Sequence, residues 1–339
     1  MVGRGTRRQW LQHMGWAAAS GMAGPALAAV SADEAGRFPT RPIKLIVPFA
    51  PGGSADIVAR LLADALQAPL GQNVVVENKA GAGGMLGAEA VARAAADGYT
   101  LGLGSISTLA VNPVVLPQVR VNPLQDLAMV APLASIASVF SVRPALGVAD
   151  FAGLVRAAKA QGDAWAVGSS GVGSAGHLIL AALNRELGLS LRHIPYKGMG
   201  PVVQSVLAGE TQVLSDQYPS SASFIAQGLL QPLAVASAQR LPALPQVPTL
   251  AELGHPALNR LAITWLGLVA PAGTPRAVLQ RLNAATNQAL KQAAVRARLQ
   301  QLGVQPLGGT GLQLQRMVED TTAQVRQLVL QDKVLEATP

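Results

Sequence analysis

The chain has 339 residues, of which 50% are apolar and 13% charged, with 35 Gly, 23 Pro and no Cys. That is enough apolar mass for two ordinary cores, and it excludes a largely disordered chain. The missing cysteines exclude disulfides, a thiolate nucleophile and a lipidated cysteine anchor, and the formal charge of +8 comes from scattered single basic residues with no nucleic-acid footprint.

Arg4, Arg7 and Arg8 precede an Ala-rich stretch that ends in the small-residue site Ala26-Leu27-Ala28. This is the pattern of an export signal over 1–28 with cleavage near Ala28, and Thr6-Arg7-Arg8-Gln9-Trp10-Leu11 is of the twin-arginine kind. His13, Gly15 and Gly21 interrupt the apolar run, so it is too broken to span about 30 Å of hydrocarbon. Removing three arginines and no acid leaves 23 basic and 18 acidic residues, a mild attraction for anions. The apolar runs at 128–142 and 261–272 are interrupted by Pro or too short to span, which predicts no direct membrane anchor.

From residue 43 onward strands alternate with helices. A strand over 43–49 runs into Pro51-Gly52-Gly53-Ser54 and a helix over 55–67; a strand over 74–76 leads through a loop to a helix over 86–96; a strand over 99–103 leads to a helix that stops before Pro113. The pattern restarts with a strand over 139–142, a helix over 151–160, a strand over 165–168, the loop 169–174 and a helix over 175–187. Strands over 191–194 and 212–214 follow, with a helix over 202–208 between them and a return strand over 233–237. A Pro-rich linker over 241–249, a strand over 264–270 and helices over 276–302 and 311–333 complete the chain. The expected fold is α/β in two lobes, each a mainly parallel sheet flanked by helices: 37–139 plus 238–339 in the first lobe and 140–237 in the second. Ligands then sit in the cleft, outside the carboxyl ends of the strands.

Four loops, 50–54, 104–108, 169–174 and 197–201, place Gly and Ser just before a helix. Helix N-termini present unpaired N–H groups and a positive dipole end, so several converging on one cleft bind a carboxylate without an arginine. Enzymatic readings fail on spacing. The run Gly81-Ala82-Gly83-Gly84-Met85-Leu86-Gly87 breaks the dinucleotide pattern at Leu86, and no phosphate-binding loop of the Walker type occurs. Val172-Gly173-Ser174-Ala175-Gly176 misses the nucleophile-elbow pattern at its first position, with His177 too close to serve as its base. The four histidines have no paired ligand spacing, so neither a metal nor any other cofactor is expected. Asp56 reads as a first-turn acid that braces its loop, since a bare carboxylate facing an anion would repel it.

Several segments carry a family resemblance: Pro42 to Asp56, Val76-Glu77-Asn78-Lys79-Ala80-Gly81-Ala82-Gly83-Gly84, Asp97-Gly98-Tyr99-Thr100-Leu101, Ser169 to Leu178, Pro195-Tyr196-Lys197-Gly198 and Pro242 to Thr249. In these the chain resembles the Bug-type, TctC-like periplasmic receptors of tripartite tricarboxylate transporters. The resemblance implies a type II periplasmic-binding-protein fold, a Venus flytrap whose backbone amides grip one carboxylate. It implies an entrance loop of Phe49, Pro51, Gly52 and Gly53, flanked by Gly83 and Gly84 with Met85 at the rim. Ser105, Ser107 and Thr108 contribute from the third loop, Ser170, Gly173 and Ser174 close from the other side, and Asp216 stands at the distal end. Asp56, His177 and Lys197 support the loops. The implied protein is a monomer that delivers a small carboxylate to integral membrane transporter subunits; a carboxylate sensor acting on a signalling partner and an exported hydrolase are the alternatives. Met85, Gly176 and Ser215-Asp216-Gln217 depart from the usual family residues, which leaves the far end of the pocket open.

Overall fold

The computed structural model describes residues 37–116 and 119–332, so the export signal expected at 1–28 lies outside the described residues. The first apolar run forms β1 (Ile43–Val47). Ile43, Leu45 and Val47 enter one core while Ile46 enters another, so helices cover both faces of this strand, as parallel strands require. Helix α1 (Ser54–Leu70) buries Val58, Leu62, Leu66 and Leu70 at four-residue spacing, and Gly71 stops it in the left-handed region at φ 69°.

The chain continues through β2 (Val74–Asn78), α2 (Met85–Ala92), β3 (Thr100–Ser105) and β4 (Leu127–Ile136), and passes at Ala137 into β5 (Ser138–Val142). Next come α3 (Phe151–Gln161), β6 (Ala166–Ser169), α4 (Ala175–Leu187), β7 (Arg192–Pro195), α5 (Met199–Ala208) and β8 (Val213–Gln217). Then follow α6 (Tyr218–Ala226), β9 (Gln231–Ala236), α7 (Pro256–Ala262), β10 (Thr264–Pro271), α8 (Arg276–Lys291), α9 (Ala293–Gln301), β11 (Val304–Pro306) and α10 (Gly311–Asp332). These make a six-stranded sheet in the order β11-β4-β10-β3-β1-β2 and a five-stranded sheet in the order β7-β6-β8-β5-β9. The strands joined by helices, β1 to β3 and β6 to β8, pair in parallel, whereas the strands that carry the chain between lobes, β4, β5, β9 and β10, pair antiparallel with their neighbours.

Four local readings change. The apolar run at 128–142 is two strands, because buried residues on both faces leave no polar marker where the chain changes sheets. Pro113 does not end a helix: a π-helical turn at Ser107–Val111 continues into Asn112–Val115, and Pro113 occupies its first turn, where a missing N–H costs no bond. Gln292, extended at ψ 130°, divides the helix expected over 276–302 into α8 and α9. Helix α6 has no forerunner in the sequence reading, because its Ser-rich stretch lacks an apolar stripe.

The lobe boundary also moves. Leu250, Leu258 and Ala262 share a core with Phe140, Phe151 and Leu183 of the second lobe, so the segment expected to begin the first lobe at residue 238 packs with the second until about residue 263. Backbone bonds hold it there: Val235 N–H donates to Pro248 O at 2.9 Å and Leu250 N–H donates to Val235 O at 2.8 Å. At the crossings, the Ser138 hydroxyl donates to Ala262 O at 2.6 Å. Among the described residues no helix is long and apolar enough to cross a membrane.

Leu258, 2% exposed, tests this partition. Leu258→Ala should lower the unfolding free energy by about 2–5 kcal/mol in urea titration. A loss below about 0.5 kcal/mol would show that the segment is no part of that core.

Candidate ligand-binding cleft

Between the two sheets lies a cleft with about 640 Å³ of empty space, counted out into its open mouth. The first lobe lines it with Phe49, Gly53, Ser54 and Ala55 from the β1–α1 turn and with Ser105, Ile106 and Ser107 from the end of β3. The second lobe contributes Ser170, Ala175 and Gly176 at the start of α4, Met199 at the start of α5, and Ser215, Asp216 and Gln217 at the end of β8. Ile136, Ser138, Thr264 and Trp265 come from the strands where the chain crosses.

Helices α1, α4 and α5 all begin at this cavity, on opposite lobes. Gly53 and Gly198 cap α1 and α5 without any side-chain hydrogen bond, which leaves their first-turn N–H groups available to a ligand. The two ends face each other: a Cβ on Gly53 would lie 3.6 Å from the backbone nitrogens of both Met199 and Gly200. Helix α4 is capped by Ser174, whose Oγ accepts from His177 N–H at 3.4 Å, and its Ala175 N–H donates to Ser107 Oγ of the other lobe at 3.0 Å. Among the described lining residues Asp216 is the one ionisable side chain. No described lining side chain is cationic, so the positive potential at the cleft is that of the helix dipoles.

Closure depends on close backbone approach. Ala50 N–H donates to Lys197 O at 3.2 Å. The Ser54 hydroxyl donates to Gln217 O at 3.0 Å and accepts from Ser220 N–H at 3.1 Å. A Cβ on Gly200 would stand 2.6 Å from Pro51 O, and one on Gly171 would stand 3.1 Å from Gly83 Cα. Only hydrogen fits at these two crossings.

Two polar clusters hold the gripping loops. Asp56 accepts from Gly52 N–H at 3.1 Å and from Asn78 Nδ2 at 2.8 Å, and pairs with Arg60 at 2.9 Å. Burial alone would raise its pKa, but the bonds from Arg60, Asn78 and Gly52 outweigh burial and hold the carboxyl below its ordinary range. Asn78 also donates to Phe49 O at 3.1 Å, so one side chain ties β2 to the entrance loop. In the second lobe His177 Nδ1 accepts from Gly173 N–H at 3.3 Å, and the ring stacks on His193 with centroids 4.0 Å apart. His193 Nε2 in turn lies 2.6 Å from Ser169 Oγ. Burial, followed by the neighbouring His177, pushes His193 down to about 4, and burial lowers His177, so both rings are neutral braces at pH 7.

Of the residues expected at the site, Phe49, Gly53, Ser105, Ser107, Ser170 and Asp216 line the cavity. Pro51 and Gly52 form the exposed tip of the entrance loop. Gly84 packs against Phe49 and Thr108, whose Oγ1 accepts from Ser105 N–H, so these two lie behind the lining. Gly83 meets Gly171 across the lobes, while Gly173 and Ser174 form the start of α4. Lys197 acts through its backbone carbonyl, its side chain being exposed. Met85 is not at the rim: Gly84, at φ 98°, turns the chain so that Met85 packs with Ala88 and Val121, 3% exposed. Ser215 and Gln217, flagged in the sequence as departures at the far end of the pocket, line it beside Asp216, and Met199 lines it from the flagged loop 197–201; Ser138 and Trp265 were not singled out, since the sheet crossings bring them there and no local motif marks them. Among the described residues no cluster of His, Asp and Glu could hold a metal.

Two α/β lobes joined by paired crossing strands, closing on a cavity ringed by helix N-termini, define a solute-binding protein. Residues 58–334 match the model of the tripartite tricarboxylate transporter family receptor, and the chain belongs to that family. It is 38% identical over 304 residues to protein BugT of Bordetella pertussis, covering 89% of this chain and 90% of that protein. The solved periplasmic binding protein BugD superposes with a TM-score of 0.84 at 31% identity, covering 88% of this chain and 99% of that one. MatC from Rhodopseudomonas palustris, solved with bound malate, superposes with a TM-score of 0.81 at 32% identity, covering 86% of this chain and 100% of that one. The family is one of transporter receptors and BugD is a periplasmic binding protein, so the chain belongs with solute-binding proteins and not with enzymes.

Gly200→Ala separates closure from folding. The new methyl would stand 2.6 Å from Pro51 O of the other lobe, a clash that parting the lobes would relieve, while Ala in a helix is about 0.5–1 kcal/mol better than Gly. Unliganded stability should hold or rise, and calorimetric affinity should fall by at least about tenfold, or about 1.4 kcal/mol; unchanged affinity would contradict the closed geometry. Histidine protonation gives a second check. The folded pKa of His193 lies below its free value of 6.5, so its contribution to stability is present above 6.5 and is lost as pH falls toward 4. Melting temperature followed across that interval should decline in the wild type and decline less in His193→Gln.

Proposed function

We propose that the chain captures a small organic carboxylate in the interlobe cleft and delivers it to the membrane subunits of a tripartite tricarboxylate-type transporter. The uncapped N-termini of α1 and α5, facing each other from opposite lobes with no cationic side chain in the lining, carry this reading. They offer an anion several N–H donors, and engaging both ends favours the closed form over the open one. Malate bound to MatC, a relative of the same fold and family, supports a carboxylate ligand. The twin-arginine-like leader, cleaved near Ala28, supports export to the periplasm, with the mature chain working as a diffusible monomer.

A thermal-shift panel of mono-, di- and tricarboxylates, sugars and amino acids on the mature protein tests the ligand class. A ligand at 100 times its Kd stabilises by about 2.7 kcal/mol, so at least one carboxylate should raise the melting temperature saturably. Stabilisation by sugars alone would overturn the reading. Uptake of that acid should fall in cells that lack the receptor gene, and undiminished uptake would remove the transport role.

A further inference from the structure

The one ionisable side chain among the described lining residues of the cleft is an acid. Asp216 stands at the end of β8 and is 3% exposed. Its Oδ1 accepts from Gln217 N–H at 2.6 Å and its Oδ2 accepts from the Ser220 hydroxyl. Both partners are neutral, unlike Asp56, whose carboxyl has Arg60 beside it. Ser220 Oγ lies 2.9 Å from the hydroxyl of Ser54, the first residue of α1. Ser220, which donates to Asp216, thus touches the first residue of α1, and the acid stands close to the end of the cleft formed by the α1 N-terminus. The cavity lining also carries the apolar side chains of Ile106, Ile136, Ile179 and Leu266, which weakens screening between charges held in it.

We infer that the cleft takes a dicarboxylate together with one proton, shared between Asp216 and the end of the ligand away from α1. This rests on the carboxylate reading above. In balance, one ligand dianion and one proton from water enter the closed complex; no covalent bond forms or breaks, and the proton returns to solvent on release. Burial already pushes Asp216 up to about 7, so the proton is available near neutrality, and a second negative charge nearby pushes the carboxyl higher. The ionisable groups on the surrounding elements are Tyr218 on α6, Asp56, Arg60 and Asp64 on α1, and His177, Arg185 and Glu186 on α4, with none on β5, β6 or α5. Burial is the leading cause of the Asp216 shift, and none of these groups is among its causes. The sign follows. The protonated site is the binding form, so affinity is greatest below about pH 7 and falls above it, by up to about tenfold per pH unit.

Succinate and adipate, which carry no donor besides their carboxyl groups, are suitable probes. Calorimetric titration at pH 8 in phosphate and in Tris, whose ionisation enthalpies differ, measures the protons taken up per ligand bound. The wild type should take up close to one, and should lose affinity between pH 7 and 9. Asp216→Asn, a permanent mimic of the protonated acid, should bind with no uptake and a flat pH profile. Ser220→Ala removes a hydrogen bond that favours the ionised carboxyl, so its affinity loss should begin at higher pH; it keeps the test open should the Asn variant fold poorly. Wild-type binding without proton uptake, or the same uptake in Asp216→Asn, would overturn the inference while leaving the carboxylate reading intact. If neither protein bound any acid, the carboxylate reading would fall, and this inference with it.

Discussion

The proposed ligand capture depends on two helix N-termini, α1 and α5, left uncapped by side chains and brought face to face from different lobes. A folded protein ordinarily satisfies such N–H groups with a Ser, Thr, Asp or Asn side chain or exposes them to water. Here Gly53 and Gly198 occupy the cap positions, and the donors are left for whatever enters the cleft. An arginine would bind a carboxylate more strongly and with a fixed fork geometry. Backbone donors on two bodies instead make the grip depend on closure, because neither lobe alone supplies both ends.

That dependence explains where the remaining structure is rigid and where it is bare. The entrance loop is fixed by Asp56, Asn78 and Arg60, and the opposing loop by Ser169, His177 and His193, so each lobe arrives with its donors already positioned. The lobes meet through Ser54 with Gln217 and Ser220, Ala50 with Lys197, Ala175 with Ser107, glycines where backbones touch, and an apolar cluster in which Ala175, Leu178 and Ala181 of α4 pack with Ile106, Leu109 and Trp265. Each of the neutral hydrogen bonds is worth about 0.5–1.5 kcal/mol net, and burial of the apolar cluster adds to them. The crossing strands join the lobes at two places, since β4 and β10 pair in one sheet and β5 and β9 pair in the other.

The sequence made the chain's order of strands and helices legible because Gly-rich punctuation separates apolar runs, and helix α4 was read at its observed bounds. What it hid follows from topology. The strand pair β4–β5 reads as one apolar run, since both are buried on both faces and the break at Ala137 is a change of sheet that leaves no change of composition. The packing of 250–262 on the second lobe is set by backbone bonds to β9, which no motif announces. In the cleft, residues flanking a Gly-rich turn were found from that turn, whereas Ser138 and Trp265 arrive from strand ends. Met85 was misplaced because spacing along the chain cannot show that a left-handed Gly84 turns the next side chain into the core.

The account's central claim is that main-chain donors from both lobes hold the ligand. The most direct test is a crystal structure of the mature protein with the acid that binds it. The account predicts carboxylate oxygens within about 3 Å of backbone nitrogens at the starts of both α1 and α5, directly or through one water, with no lysine or arginine among the contacts. A carboxylate held by a cationic side chain, or by one lobe alone, would contradict it.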